Sequence, residues 1–174
     1  SPADTTGVCI CTVTAGTATI PSDAALKILK VDSGATASLS GDLSLSTTYT
    51  NNGTVSGVGK VILNGSLAQN IYGTGTTRNL ELNNSAGATV QDSLGINGVL
   101  TLTAGTLTTN NKLKLEATSA TTYGQIAGTG AGSLSGNLTA EMQINGGGAG
   151  WRPISSPVSG ATLAQLSDDV NLNF

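Results

Sequence analysis

The chain contains 174 residues with 24 glycines, and 38% of its residues are hydrophobic although only 3% are aromatic. Ser, Thr and Asn supply about a third of the sequence, and because such residues favour strands and turns, the composition excludes a helical domain or a coiled coil. Only 10% of residues are charged and the net charge is -3, which excludes a basic nucleic-acid interface and disfavours disorder. No apolar run approaches the roughly 20 residues that span a bilayer, so we expect no membrane insertion.

The first predicted strands lie in residues 12–20 and 25–31, which add one or two coils in a register that the pattern leaves open. Cys9 and Cys11 precede them and stand two positions apart, so both thiols face one side of a strand. The chain has no His and no third Cys, so we expect no metal site. We interpret the cysteines as small, partly buried side chains, with a partner outside this segment as the alternative.

Short alternating segments recur along the middle of the chain. One series has a nearly constant spacing that shortens only at its last step, and a second series of similar spacing lies between its members. A shared period indicates stacked units that cannot bury their apolar faces alone. The first series is Leu43/Leu45, Val61/Leu63, Leu80/Leu82, Leu100/Leu102 and Leu113/Leu115, and the second is Val55, Ile71, Val90 and Leu107.

These short strands are separated by turns rich in Asn and Gly, and they suit a chain that winds in coils. We therefore predict an all-β fold, a right-handed parallel β-solenoid (β-helix) of roughly 16–20 residues per coil with a C-terminal cap. The first series would form one inward column, with Leu82 in its middle and Glu81 facing outward. We expect Leu82→Ala to be strongly destabilising and Glu81→Ala to cost less than about 0.5 kcal/mol.

The alternation ends near residue 140. Residues 146–150 are mostly Gly, and Pro153 and Pro157 do not fit an interior strand. We therefore expect a solenoid over residues 1–139, while residues 140–174 form a cap or begin a neighbouring domain. Trp151 would then cover the end of the apolar column.

The repeats resemble a known group of proteins. The segments that carry the likeness are YTNNGTVSG (49–57), VILNGSLAQNI (61–71), NLELNNSAG (79–87), GVLTLTAGTL (98–107) and WRPISSPV (151–158). They are similar to the β-solenoid repeat region of secreted and cell-surface, adhesin-like proteins of Bacteroidota. The resemblance implies export by the type IX secretion route and a place within a larger surface protein.

The acidic residues predict no catalytic pair. A glycosidase holds two carboxyl groups at a set separation across a sugar, and here only Asp168 and Asp169 adjoin, in a segment typical of solvated charge. The absence of His removes the usual base of a nucleophilic triad. We expect no enzymatic activity and no cofactor, and we keep a polysaccharide-active enzyme as an alternative.

Outward aromatic residues on a solenoid can stack on sugar rings. Tyr72 follows the inward Ile71 and is predicted to face outward, and Tyr49 is a second candidate glycan contact. Ice binding would require outward Thr in coil after coil, and the positions beside the Leu column give no such ladder. A carbohydrate-binding module is therefore the first alternative function, and an ice-binding solenoid is disfavoured.

Ser93 and Thr5 each follow an Asp, and Asp92-Ser-Leu94 resembles a pattern that some Bacteroidota O-glycosylate, so both are candidate O-glycosylation sites.

Taken as a whole, the sequence predicts a non-catalytic structural or adhesive segment of a protein that is extracellular or at the cell surface. The expected partners are neighbouring domains of the parent protein and an extracellular glycan or another cell-surface protein, with no nucleic acid.

Overall fold

The computed structural model describes residues 9–119, 121–127 and 130–143. These residues form strands and turns throughout, as the composition predicts. The strands are β1 Ile10–Val13, β2 Thr17–Ile20, β3 Ala24–Val31, β4 Thr36–Leu39, β5 Leu43–Asn51, β6 Thr54–Gly57, β7 Val61–Leu63, β8 Gln69–Tyr72, β9 Thr76–Thr77, β10 Leu80–Asn83, β11 Ala88–Val90, β12 Leu94–Ile96, β13 Val99–Ala104, β14 Thr106–Thr108, β15 Leu113–Leu115, β16 Ala117–Ser119, β17 Thr122–Tyr123, β18 Gln125–Ala127, β19 Ser133–Ser135 and β20 Leu138–Ala140.

Each coil of the chain passes through three faces. The first face contains β3, β5, β7, β10, β13 and β18, and the second contains β1, β3, β5, β8, β11, β14 and β19. The long strands β3 and β5 contribute to both and join them into one eleven-stranded sheet, while the third face is the separate sheet β2-β4-β6-β9-β12-β15-β20. Within the described residues an incomplete coil, β1 and β2, is followed by six complete ones. This arrangement is a parallel β-solenoid, which confirms the predicted fold class.

The inward column of the first face is in register from coil to coil. Leu45 pairs with Leu63, Leu63 with Leu82, and Leu82 with Leu102, all in parallel strands. Leu45, Leu63 and Leu82 have no exposed surface and Leu102 has 7%. The inward column predicted from the Leu-x-Leu spacing is confirmed for these four residues, because alternation in a strand places residues two apart on the same side.

The prediction is wrong about the last pair of residues assigned to this column. Leu113 and Leu115 lie in β15 on the third face, where they pair with Leu94 and Ile96 of β12. The first face continues instead at β18, where Ile126 pairs with Leu100. The shortened final interval of the series therefore marks a different face of the same coil and not a trimmed coil.

The second predicted series also joins residues of different faces. Val55 lies in β6 on the third face, paired with Ala37, whereas Ile71 lies in β8 on the second face, paired with Tyr49. Leu107 pairs with Ala88 and not with Val90. All of these side chains are buried, so the second series consists of inward residues that come from two faces of the coil.

The final coil carries an insertion between the third and first faces. Residues of β16 and β17 pair antiparallel as a short hairpin. The chain between the in-register partners Leu100 and Ile126 is consequently longer than the chain between earlier partners on this face. A corner of the solenoid thus accepts extra residues without loss of the parallel pairing on either side.

Buried polar side chains close several corners of the coils. Asn51 is fully buried; its Nδ2 donates to the Thr76 carbonyl at 3.0 Å and its Oδ1 accepts from the Gly53 amide at 3.0 Å. Gln69, 2% exposed, accepts from the Gly65 amide at 2.9 Å and from Asn84 Nδ2 at 3.0 Å. Among the described residues no buried side-chain polar atom lacks a partner, as burial of polar groups requires.

The predicted Asn turns occur, but most do not use a left-handed backbone. Within the described part of the chain, Asn110 and Asn111 are the only asparagines with positive φ, at 51° and 58°. Asn51 acts through its side chain instead, and the left-handed positions fall largely on glycine. Gly73, for example, has φ of 97°, and a Cβ there would collide with the Asn51 carbonyl oxygen, so only glycine fits.

The described residues all belong to one unit of the chain, Ser1–Ile144. Among the described residues the last strand, β20, ends at Ala140. The predicted cap, including Trp151, otherwise lies outside the described residues, and its role stays a prediction.

Candidate functional site

The best-defined candidate for ligand contact is the area around Tyr72 on the second face. Tyr72 is the last residue of β8 and 40% of its surface is exposed, as predicted for a residue that follows the inward Ile71. Thr50 pairs with it from the preceding coil. Gln91 lies beside it in the next coil, because the Gln91 amide donates to the Ile71 carbonyl at 2.8 Å.

Amide side chains stand next to the exposed ring. Asn70 precedes Tyr72 by two positions and so shares its outward side, and the Asn70 Oδ1 accepts a hydrogen bond from Gln91 Nε2 at 2.7 Å. This bond uses one donor and one acceptor and leaves other amide groups of the pair for a ligand. We name Thr50, Asn70, Tyr72 and Gln91 the Tyr72 surface. An aromatic face beside fixed amide and hydroxyl groups suits a sugar, which offers both C–H and O–H groups.

Tyr49, the second predicted glycan contact, lies inside the solenoid. It has no exposed surface, and its hydroxyl shares a hydrogen bond of 2.6 Å with Thr77 Oγ1. Burial raises the pKa of the phenol above its ordinary value, although the hydrogen bonds to Thr77 and Asn51 oppose this. The ring offers no surface to a sugar, so the prediction for Tyr49 is wrong. The reason is that β5 continues through residue 51, and the register shift at the exposed residues Ser46 and Thr47 turns Tyr49 inward on the second face.

The principal charged cluster of the first face is centred on Lys60. Its Nζ lies 2.7 Å from Glu81 Oε2 and 3.6 Å from Asp42 Oδ2, and Thr103 donates to Glu81 Oε1 at 2.7 Å. Glu81 does face outward, paired with Ile62 and Thr101, but it is only 8% exposed. The small cost predicted for Glu81→Ala assumed an exposed side chain, and we now expect a larger one.

Ionisation of Glu81 is coupled to these contacts. Partial burial raises its pKa, but the hydrogen bonds from Lys60 and Thr103 and the charge of Lys60 outweigh burial, so the pKa lies below the ordinary value for glutamate. The same hydrogen bond to Glu81, the largest cause, raises the pKa of Lys60. The carboxylate is therefore held ionised by groups from the coils before and after it.

We expect Glu81→Gln to lower the free energy of unfolding by roughly 1 kcal/mol at pH 7. A carboxyl group whose pKa is lowered by folding stabilises the native state above its unfolded pKa, about 4.3, and this contribution is lost as the pH falls through the folded value. Urea titrations of both proteins between pH 7 and pH 3 should show their difference shrinking below about pH 4. A difference that is constant with pH would contradict the proposed role of the charge, and Asp42→Asn, at the longer distance, is the matched control with a smaller effect.

The third face carries hydroxyl side chains that are in register over three coils. In one column Thr17 pairs with Thr36 and Thr36 with Thr54, and the second column is formed by Thr19, Ser38 and Ser56. We name these six residues the hydroxyl ladder. Thr76 extends the first column by one coil. The predicted absence of a threonine ladder concerns the outward positions beside the Leu column, whereas the hydroxyl ladder lies on a different face.

A signal for the hydroxyl ladder is present in the sequence. The triplets that begin at positions 17, 36 and 54 each read Thr-x-Thr or Thr-x-Ser, and their starts repeat at the same period as the Leu series. The intervening residues Ala18, Ala37 and Val55 face the core. The prediction follows only the outward column beside the Leu residues, and the ladder lies on another face.

The remaining candidate residues are the two cysteines, Ser93 and Thr5. Cys9 is exposed and Cys11 partly buried, and both thiols are free; burial, and then the neighbouring Cys9, raises the pKa of Cys11. Ser93 is exposed in the turn before β12, so its assignment as a glycosylation site stays a prediction. Thr5 lies outside the described residues. No cluster of three potential metal ligands occurs within the part of the chain that the structure describes.

Comparisons with family models, with curated proteins and with solved structures find no match to this chain. A search of the described residues finds no helix of the length and apolarity needed to cross a bilayer.

Proposed function

We propose that the chain is a non-catalytic structural or adhesive segment of a larger secreted or cell-surface protein. The observation that carries this proposal is the continuous in-register stack of the inward column from Leu43 to Leu102. Adjacent parallel strands lie about 4.8 Å apart, so the incomplete first coil and the six complete coils together extend about 30 Å. Backbone hydrogen bonds and buried apolar columns make such a stack stiff, which suits a spacer.

The proposed location follows from the resemblance of the repeats to Bacteroidota surface proteins. That likeness supports export by the type IX route and attachment to neighbouring domains of the same parent protein. The small and hydroxylated side chains of the outer faces suit a surface exposed to water. The partners that we propose are those neighbouring domains, together with an extracellular glycan or another cell-surface protein.

Labelling of intact producing cells tests the location. An antibody raised against the purified chain should bind the surface of intact cells or detect the protein in the culture medium. Protease added to intact cells should abolish the surface signal while a cytosolic marker survives. Recovery of the protein only after lysis would contradict the proposed location.

The Tyr72 surface favours carbohydrate binding as a second candidate function. An exposed ring with amide groups beside it in register is the arrangement that a sugar-binding face needs, and the ring is held at the end of β8 by strands on both sides. Such a function would make the segment adhesive and not merely a spacer. It requires no catalytic group.

If the Tyr72 surface binds glycans, Tyr72→Ala should reduce binding at least about tenfold, since loss of a stacked aromatic contact costs on the order of 1.4 kcal/mol or more. Glycan arrays followed by titration calorimetry on the strongest ligand measure this effect. Tyr123→Ala removes a ring of similar exposure, 45% against 40%, and should leave binding unchanged. Equal binding by the parent chain and Tyr72→Ala would exclude this surface as the glycan site.

A further inference from the structure

The hydroxyl ladder is an array with two regular spacings. Neighbouring strands of the third face lie about 4.8 Å apart, and residues two apart in one strand lie about 6.7 Å apart on the same side. Three strands, β2, β4 and β6, present two hydroxyl-bearing residues each. These distances are set by the backbone of the solenoid, so they repeat from coil to coil.

The groups of the hydroxyl ladder are available and unusually uniform. Thr17, Thr19 and Thr54 are exposed and the other three members are partly exposed. Among the described residues no side-chain hydrogen bond within the protein engages any of the six hydroxyls, in contrast to Thr76, which donates to Glu116 at 2.9 Å. The three strands contain no charged residue, and they contain no aromatic residue.

The threonines of the ladder are also fixed before any ligand arrives. A β-branched side chain has few χ1 rotamers, and packing between identical residues in adjacent strands restricts it further. Binding to such a preorganised array costs little side-chain entropy. Beyond the ladder this face carries charged groups, and the Glu116 carboxylate accepts the hydrogen bond from Thr76. Two coils farther on than Thr76, β15 presents Lys114, which pairs with Glu141 at 2.6 Å.

From this geometry we propose that the hydroxyl ladder is a binding site for crystalline ice. Hydroxyl and methyl groups recur about 4.8 Å apart between strands and about 6.7 Å apart along each strand. Such rows hold water in an order close to that of the ice lattice, and this ordered water joins the crystal surface. Charged groups would impose their own hydration shells, and the ladder has none. A sugar would find no ring to stack on here, so ice is favoured over a polysaccharide. The inference does not depend on the role proposed for the whole chain.

Ice affinity of the purified chain tests the proposal directly. During slow freezing of a dilute solution the parent chain should be enriched in the growing ice, whereas an ordinary solute is left in the liquid. It should also slow recrystallisation in a frozen sucrose solution. Exclusion from the ice together with unaltered recrystallisation would overturn the proposal.

A matched pair of variants locates the site. Thr36→Tyr places a bulky ring in the centre of the hydroxyl ladder, and Thr89→Tyr makes the same change at a similarly half-buried outward threonine on the second face. We expect ice enrichment to be lost in Thr36→Tyr and retained in Thr89→Tyr.

Thr54→Tyr, at an exposed position of the same column, serves as a second ladder variant if Thr36→Tyr does not fold, as judged by circular dichroism and urea unfolding. Equal loss or equal retention of ice enrichment in the ladder variant and in Thr89→Tyr would overturn the assignment. Pull-down of the parent chain by insoluble cellulose or chitin, lost in the ladder variant while ice enrichment is absent, would identify a polysaccharide face instead.

Discussion

Leu82→Ala should lower the free energy of unfolding by on the order of 2–5 kcal/mol. Leu82 has no exposed surface and lies in the middle of the inward column, with Leu63 in the coil before it and Leu102 in the coil after it. Truncation removes apolar contacts on both sides, and the backbone pairing of three coils prevents the cavity from closing. Urea unfolding followed by circular dichroism measures the change.

Leu67→Ala is the matched control for this substitution. Leu67 lies between β7 and β8 and is 78% exposed, so the same truncation should cost less than about 0.5 kcal/mol. Similar losses in the two variants would mean that Leu82 does not occupy the column assigned to it.

Asn51→Leu should cost roughly 1–3 kcal/mol even though the two side chains are similar in size. The substitution leaves the Gly53 amide without its acceptor and the Thr76 carbonyl without its donor, at a corner where Asn51 is fully buried. Buried polar groups left unpaired lose their hydration without compensation. Differential scanning calorimetry and urea titration should both register the loss.

The neighbouring residue provides the comparison. Asn52 is exposed and accepts a single hydrogen bond of 3.3 Å from the Thr74 amide, so Asn52→Leu should cost less than about 1 kcal/mol. A greater loss for Asn52→Leu than for Asn51→Leu would refute the view that the buried amide supports the corner.

The coil period and the main inward column could be read from the sequence because strand alternation and coil spacing are both strict. Leu45, Leu63 and Leu82 recur at almost equal intervals and are flanked by polar residues, a pattern that few folds other than a solenoid accommodate. Backbone pairing at a fixed distance then places these side chains on top of one another. The period alone, however, does not say how many faces a coil has.

That missing information explains the errors. Leu113 and Leu115 repeat the Leu-x-Leu pattern of the first face, yet they belong to the third face, because all inward positions of a narrow core select the same apolar residues. The sequence places Tyr49 at the surface only if its strand stops at Ser46, whereas β5 bends and continues to Asn51. Bends within a strand depend on contacts with the coils on either side, which local sequence does not express.

Of the two candidate surfaces, the one around Tyr72 was predicted from the sequence and the hydroxyl ladder was not. Tyr72 could be placed from the adjacent inward Ile71, because the two differ by one position in one strand. The hydroxyl ladder was missed because the prediction followed only the outward positions beside the Leu residues, although the triplets that begin at positions 17, 36 and 54 repeat at the coil period.

The buried polar side chains at the corners of the coils also affect which strands pair with each other. Successive coils bury nearly interchangeable apolar side chains, so a displaced arrangement, with a segment paired one full turn too early or too late, would satisfy much of the core. The corner residues are not interchangeable: Asn51 is aligned with Val31 in the preceding turn, and Thr77 with Val55 and Ile96 on either side. After such a slip each buried amide or hydroxyl would face a hydrocarbon. The few polar residues of the interior therefore specify which turn pairs with which, and so fix the register of the stack.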